Sequence, residues 1–139
     1  MMPVGGLLGK LTGDRSIGRT GPSPSVDEVG LVLKNERRRM IVYAIAEADV
    51  ERLKLGDVSE MIASSEFEKP PNHLNSKERK RVYIGLYQTH LPKLDKMRVV
   101  DYNQDRGTLE RGPKFASMLQ VLEIVADECT DGTNRGELA

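Results

Sequence analysis

The sequence predicts a mainly α fold with a small β component (α+β), and three observations lead to this prediction. Apolar residues recur at helical spacing in several separate segments of the chain. The segment 76–97 is basic and keeps helical spacing over its whole length. Two short extended runs, VVDYN and TLER, then flank a polar turn that contains a glycine. A chain of 139 residues is long enough for one such domain with a modest core.

The chain begins with a predicted flexible arm and a short helix. Residues 1–24 contain six glycines and three prolines with little hydrophobic periodicity, which is typical of an unstructured arm. Ser25 is a suitable helix N-cap, and Glu28 three residues later completes a capping-box pattern. The helix that follows is expected to direct four apolar side chains inward: Val26, Val29, Val32 and Leu33.

Two further helices are predicted before the basic segment. Asn35 begins the first of them, and its buried stripe is expected to contain Ile41, Ala44, Ile45 and Ala48. After a link at residues 50–56, Asp57 is expected to cap a third helix that runs to about Ser65. The predicted inward side chains of this third helix are Val58, Met61 and Ile62.

The long basic helix is predicted to have two different faces. The consecutive prolines of FEKPPNHLN favour an extended loop, after which Ser76 can cap the helix. At about 100° per residue, one side of the helix collects the apolar residues Tyr83, Ile84, Tyr87, Leu91 and Leu94. The opposite side collects Arg81, Gly85, Gln88, Thr89, Pro92 and Lys96. On that side, Gly85 is expected to let a partner surface approach the backbone closely.

Pro92 lies inside this predicted helix and allows two interpretations. Proline removes a backbone donor and crowds the preceding turn, so the helix can end near Leu91 and a separate turn can follow. The helix can instead continue with a bend, since water can satisfy the freed carbonyl on the outward face. The helical spacing of Leu91, Leu94 and Met97 favours the kinked continuous helix.

The extended runs after Met97 predict a β-hairpin at about residues 99–111. Gly107 can supply the positive φ that a tight turn requires. A helical cluster followed directly by such a hairpin is the element order of a winged helix-turn-helix. We therefore predict a winged helix-turn-helix domain over residues 25–112, with an additional C-terminal helix over residues 113–128.

A local positive charge indicates what this domain binds. The net charge of the whole chain is zero, but residues 76–98 contain seven Lys or Arg against two acidic residues. Such a surface suits the DNA backbone, although an ordinary solvated helix face has the same composition. In the DNA interpretation, the residues that contact bases are Arg81, Gln88 and Thr89. Those that contact phosphates are Lys77, Lys80, Lys93, Lys96 and, at the hairpin tip, Arg106.

Two stretches of the chain also resemble a known family. The runs ERKRVYIGLYQTHLPKLDKMRVVDYNQDRGT and VGLVLKNERRRMIVYAIAE are similar to a winged-helix domain family common in halophilic archaea. The resemblance covers about residues 26–111, and it implies a regulator of transcription that binds double-stranded DNA. The alternative function is a protein–protein interaction adaptor, in which the polar helix face meets an acidic protein instead of DNA.

No other pattern indicates chemistry or a cofactor. The chain lacks an H-x-x-x-H metal motif, a glycine-rich phosphate loop and a nucleophile elbow, so we expect no enzyme, no metal and no cofactor. His90 is expected to be a packed or hydrogen-bonded residue rather than a metal ligand. The chain has one cysteine, Cys129, and no evident membrane-spanning run or secretion signal, so we expect a cytoplasmic protein.

The predicted C-terminal helix carries an apolar surface wider than one stripe. Phe115, Met118, Leu122 and Val125 follow the 3-4-3 spacing of a helix–helix seam, and Val121 and Ile124 broaden it. We expect this helix to pair with its mate in a homodimer. The alternative is that the helix folds back on its own domain. Residues 129–139 are expected to form a disordered acidic tail.

Overall fold

The computed structural model describes residues 21–129, which form a mainly helical α+β structure with one three-stranded antiparallel sheet. In chain order the elements are α1 (Val26–Leu33), α2 (Glu36–Glu47), β1 (Leu53–Lys54), α3 (Leu55–Phe67), a 3₁₀ turn (Pro71–His73), α4 (Ser76–Gly85), a π turn (Leu86–His90), α5 (Leu91–Lys96), β2 (Val100–Asn103), β3 (Thr108–Arg111) and α6 (Phe115–Glu128). The predicted arm and tail lie outside the described residues, apart from residues 21–24 and Cys129.

The first two helices are each capped by the side chain of the residue before them. At the start of α1, the Glu28 backbone amide donates to the Ser25 hydroxyl (3.1 Å), and the Ser25 amide donates to the Glu28 carboxylate (2.9 Å). These bonds satisfy amides that lack partners within the helix. At the start of α2, the Asn35 side chain accepts from the backbone amide of Arg38. The predicted cap at Ser25 and the predicted start of the second helix at Asn35 are both confirmed.

The next two helix starts differ from the prediction by one to three residues. Helix α3 begins at Leu55, with Lys54 in the cap position, so the assignment of Asp57 as the cap is wrong. The Leu55 amide donates to the Gly107 carbonyl oxygen (2.8 Å), because β1 pairs with the sheet directly before the helix. Asn75, rather than Ser76, caps α4 and forms a capping box with Glu78. The side chain of Asn75 carries an oxygen that can accept a hydrogen bond, as the Ser76 hydroxyl does, and it lies one residue earlier.

Helices α4 and α5 and the π turn between them form one continuous helix over residues 76–96, called the long helix below. Gly85, His90 and Leu91 all have right-handed helical backbone angles, so the prediction that the helix continues past Pro92 is confirmed. The Leu91 amide donates to the Leu86 carbonyl oxygen, which closes the wide turn. A wide turn before proline leaves the ring more room than a regular α-turn does.

The π turn also changes which residues of the long helix are buried. Before and at the turn the buried residues are Val82, Leu86 and His90, whereas the predicted inward residues Tyr83 and Ile84 are 40% and 38% exposed. The prediction assumed an uninterrupted 100° repeat, which the π turn breaks by adding a residue to one turn. After the turn, Leu91, Leu94 and Met97 are buried as predicted.

Two other apolar residues that were predicted to face inward lie at the surface. Val26 is 88% exposed because it occupies the first position of α1, before the helix reaches its neighbours. Met61 is 52% exposed on α3, beside the buried Val58 and Ile62. The other inward assignments in α1 and α2 lie in the core or pack against it: Val29, Val32, Leu33, Ile41, Ala44, Ile45 and Ala48.

The sheet has the strand order β1–β3–β2 and contains the predicted hairpin. Val100 pairs with Arg111 and Asn103 with Thr108 across the hairpin, while Leu53 pairs with Leu109 on the other side of β3. Gly107 has φ 65°, the left-handed conformation that was predicted for the turn. The backbone of β2 is joined to the long helix, because the Tyr102 amide donates to the Asp95 carboxylate (2.9 Å).

Helix α6 packs against α1 and α2 of its own chain. Phe115, Met118 and Leu122, which were predicted to mediate dimerisation, are at most 1% exposed in a single chain. Their assignment to a dimer interface is therefore wrong for this structure, because their own domain covers them; Val125 is half-buried and Ile124 is 58% exposed. A single chain does not test the homodimer itself. Among residues 21–129, no helix is long and apolar enough to cross a membrane.

Gly112 provides a test of how closely the hairpin packs on the end of the long helix. Its amide donates to the Val99 carbonyl oxygen (3.0 Å), and an added Cβ would meet the Arg98 carbonyl and lie 2.9 Å from the Val99 carbonyl carbon. Since backbone cannot move aside as a side chain can, Gly112→Ala should lower the free energy of unfolding by about 2 kcal/mol or more. Urea denaturation measures this change.

Gly30 is the matched control for this substitution. It lies within α1, is exposed, and an added Cβ would meet nothing within 4 Å. Gly30→Ala should therefore raise the free energy of unfolding by roughly 0.5–1 kcal/mol through helix propensity alone. Equal stability of the two variants would contradict the close packing at Gly112.

Candidate nucleic-acid interface

The residues predicted to contact DNA are all exposed. Seven of them belong to the long helix and are called the polar face below: Lys77, Lys80, Arg81, Gln88, Thr89, Lys93 and Lys96. The eighth, Arg106, lies in the hairpin turn. Within residues 21–129, none of the six cations in this set forms an ion pair, whereas five other cations are each paired with a carboxylate: Arg37, Arg52, Lys69, Arg79 and Lys114. The long helix and the hairpin tip therefore carry six cations without an ion pair in the described part of the chain.

The two acidic residues of the long helix have partners in the protein. Glu78 accepts from Lys69 Nζ (2.7 Å) and from the Asn75 amide (3.0 Å), and these bonds lower the pKa of the Glu78 carboxyl. Asp95 accepts from the Tyr102 amide of β2. Because Glu78 is paired with a cation and Asp95 is bonded to the hairpin, the cations of the polar face dominate its field.

Gly85 does not offer open backbone to a partner, as the sequence had suggested. An added Cβ at Gly85 would lie 2.7 Å from a terminal guanidinium nitrogen of Arg37, so this close approach is made by the protein itself. The Arg37 guanidinium also donates two hydrogen bonds to the Glu66 carboxylate, at 2.9 and 2.8 Å. Glu66 raises the pKa of Arg37 further, and the bidentate pair joins α2 to α3 beside the long helix.

His90 is buried at the end of the π turn and bonds to α2. Its Nδ1 accepts a hydrogen bond from Arg38 Nε (3.2 Å), and Arg38 NH1 donates to the Leu31 carbonyl oxygen of α1 (2.8 Å). Burial, and then the charges of Arg38, Arg37 and Lys93, lower the pKa of His90 to about 4. The imidazole is therefore neutral at neutral pH and acts as an acceptor, which confirms the packed, hydrogen-bonded interpretation.

Three tyrosines connect the polar face to the hairpin. The rings of Tyr83 and Tyr87 stack with centroids 6.3 Å apart, and the Tyr102 hydroxyl is buried. Burial, and then the neighbouring Tyr87 and Tyr83, raise the pKa of Tyr102 to about 12, so its hydroxyl stays protonated. Tyr83 and the adjacent Ile84 are partly exposed, so they add apolar surface beside the cations.

The hairpin tip is shaped by its own side chains. The Arg106 amide donates to the Asn103 side chain (3.1 Å), and the Gly107 amide donates to the Asn103 carbonyl oxygen (2.8 Å). Asn103 thus closes the turn from both its side chain and its backbone, which leaves the Arg106 side chain exposed. The exposed Arg106 side chain is therefore available to contact a partner molecule.

Sequence reasoning missed Arg37 and Arg38, the two arginines that hold the middle of the long helix. They lie at the start of α2, far from the polar face in sequence, and a run of three arginines is more often solvated. A signal for them was present in the spacing of Val82, Leu86, His90 and Leu94, which repeats every four residues. Such a repeat drifts around an α-helix unless a turn is widened.

Comparison with known proteins gives a family but no function. The model of the family described as a domain of unknown function (DUF7344) matches residues 31–110, which is more than half of the chain. No curated protein and no solved structure matches. The matched range contains α2, the long helix and nearly all of the sheet, but not α6. The description names no fold, so the resemblance to archaeal winged-helix proteins stays a prediction.

The pKa of His90 predicts how stability depends on pH. The folded value of about 4 lies below the ordinary 6.5, so the unfolded chain binds the proton more readily. The stabilisation by neutral His90 is fully present above pH 6.5. As pH falls towards 4, the free energy of unfolding should decrease by on the order of 2 kcal/mol after allowance for solvent screening.

Urea denaturation between pH 7 and pH 4 checks this dependence. Wild type should lose stability relative to His90→Asn, which does not titrate in this range. His73→Asn makes the same substitution at an exposed histidine and is the matched control. Parallel curves for wild type and His90→Asn would contradict the depressed pKa.

Proposed function

We propose that this chain, which belongs to the DUF7344 family, is a DNA-binding regulator of transcription. The observation that carries the proposal is the polar face: unpaired cations, an amide and a hydroxyl on one continuous helix whose own carboxylates are already bonded. Positive charge without partners in the protein favours an external polyanion. No catalytic activity is part of the proposal.

A winged helix-turn-helix fold is the structural part of this proposal. Support comes from the order helix, short strand, two helices and hairpin (α2, β1, α3, the long helix, β2 and β3), with the first strand paired to the last in the order β1–β3–β2. In this arrangement α3 and the long helix form the helix-turn-helix, and β2 and β3 form the wing. Helices α1 and α6 are additions that cover α2.

The polar face divides into two kinds of contact in the proposed complex. The long helix would lie in the major groove, where Arg81, Gln88 and Thr89 can donate to or accept from base edges. Four lysines would contact phosphates on either side: Lys77, Lys80, Lys93 and Lys96. Arg106 would meet the backbone or minor groove beside the helix.

A second candidate function is a winged-helix adaptor that binds an acidic protein. One observation favours it: Tyr83 and Ile84 are exposed next to the cations, and mixed aromatic, apolar and basic surface is typical of protein interfaces. The same side chains can also contact thymine methyl groups, so the observation does not exclude DNA.

Binding of random duplex DNA at different salt concentrations tests the proposed function. Wild type should bind at low salt, and the logarithm of its affinity should fall linearly with the logarithm of the salt concentration. Lys96→Gln should weaken binding to all sequences and reduce the slope by about one. Fluorescence anisotropy with a labelled duplex measures both quantities.

Arg52→Gln is the matched control, because it removes the same charge from a cation that is ion-paired with Glu110 (2.9 Å). We expect its slope and affinity to stay near those of wild type. Binding that is undetectable at low salt would overturn the DNA proposal and leave the adaptor. An equal effect of both substitutions would show that net charge, rather than the polar face, binds DNA.

We also propose that the protein is a homodimer, in line with the symmetry of most DNA sites bound by helix-turn-helix proteins. The exposed Ile124 of α6, flanked by the half-buried Val121 and Val125, is the apolar surface that supports this. Light scattering at tens of micromolar should give a dimer for wild type and a monomer for Ile124→Asp. A wild-type monomer would contradict the proposal without affecting DNA binding by a single copy.

A further inference from the structure

We infer that Arg38 and His90 are positioning residues: their hydrogen bond holds the π turn of the long helix and thereby sets the direction in which Gln88 and Thr89 face DNA. The inference rests on the proposed function. Neither residue belongs to the polar face, since Arg38 is 7% and His90 8% exposed. Both act on that face from inside the protein.

The π turn lies within the proposed DNA-contact surface. It spans Leu86–His90, so it contains Gln88 and Thr89, two of the three proposed base contacts. π turns are rare because their geometry is less favourable than that of the α-helix, and they occur often at functional sites. The less favourable geometry of this π turn therefore has to be offset by an interaction that a regular α-helix could not form at the same positions.

The buried positions of the long helix repeat every four residues. Val82, Leu86, His90 and Leu94 are all buried and are separated by four residues each. In a regular α-helix, four residues advance about 400°, so residue 94 would lie about 120° around the helix from residue 82. The extra residue in the π turn offsets much of this rotation. The widened turn therefore lets His90 remain on the same buried side of the helix as Val82 and Leu94.

Arg38 provides the reason that His90 stays inward. Arg38 is a buried cation, and among the described residues no carboxylate pairs with it. Its guanidinium donates one hydrogen bond to the Leu31 carbonyl oxygen and one to His90 Nδ1. A buried donor without an acceptor is costly, so Arg38 strongly favours the conformation that presents an acceptor from position 90.

A neighbouring contact fixes the start of the same turn. Arg37 lies against Gly85, the residue before the π turn, and is itself held by its two hydrogen bonds to Glu66. Two consecutive arginines of α2 thus hold the two ends of the turn, Arg37 at Gly85 and Arg38 at His90. If the turn relaxed to a regular helix, Lys93 and Lys96 would rotate relative to Lys77 and Arg81, and Gln88 and Thr89 would change direction.

Substitutions at the two positions separate this role from general stability. His90→Asn keeps an acceptor oxygen near the place of Nδ1, whereas His90→Leu removes it. Because His90→Leu leaves Arg38 without that acceptor and can destabilise the fold, the decisive variant is the double substitution Arg38→Met with His90→Leu. Replacing both partners by apolar groups of similar size avoids the buried unsatisfied donor.

The measured quantity is a discrimination ratio: affinity for the best duplex that wild type selects from a random pool, divided by affinity for random duplex. The folded double variant should keep random-duplex affinity within about twofold, since it keeps the number of exposed cations on the long helix and non-specific binding depends mainly on that number. Its ratio should fall about tenfold, which is the size of one lost base contact. His90→Asn and the exposed Gly30→Ala should keep the wild-type ratio within about threefold.

Amide hydrogen exchange gives an independent reading of the turn. The Leu91 amide, bonded to the Leu86 carbonyl oxygen, should change its protection in the double variant and keep it in His90→Asn. A folded double variant with the wild-type ratio, or with equal losses for selected and random duplex, would overturn the inference. If wild type binds no duplex at low salt, the proposed function fails instead, and unchanged Leu91 protection in the double variant would then overturn the structural part of the inference.

Discussion

The protein depends on one buried cation, Arg38, which has to be satisfied without a carboxylate. Its guanidinium bonds to the Leu31 carbonyl oxygen of α1 and to His90 at the end of the π turn, so one side chain of α2 joins three parts of the chain. A neutral acceptor at position 90 is required, and burial together with the surrounding cations keeps the His90 pKa near 4. The neutral imidazole, which burial favours first and the Arg38 charge second, is thus the form that can accept from Arg38.

Two sets of basic residues in this chain follow different physical rules. Arg37, Arg52, Lys69 and Arg79 pair with carboxylates. These pairs connect α2 to α3, the residue before β1 to β3, and α3 or the loop after it to α4. The cations of the polar face have no such partners in the described part of the chain. A net charge of zero therefore arises from a surface with a strongly positive helix and compensating acidic regions elsewhere.

The hairpin is attached to the long helix by directional hydrogen bonds and close backbone contacts as well as by apolar packing, since Val100 and Leu109 belong to the same buried core as Leu94. Asp95 accepts from the Tyr102 amide, Gly112 lies against the backbone of residues 98 and 99, and Arg98 ends the helix with φ 64°. Arg111 of β3 then lies over the Phe115 ring (4.9 Å), which joins the hairpin to α6. The position of Arg106 relative to the polar face thus follows from short, directional contacts.

The sequence by itself determined the features that arise from local interactions. The caps at Ser25 and Asn35, the turn at Gly107, and the exposure of the predicted DNA contacts follow from hydrogen bonds within a few residues or from charge. Only the tertiary structure decided the inward face of the long helix, the partner of Gly85 and the covered face of α6. Each of these depends on residues far apart in the chain: Arg38 with His90, Arg37 with Gly85, and α6 with α1 and α2. Helical periodicity assumes a uniform rotation per residue, and a buried arginine that needs an acceptor is sufficient to change that rotation.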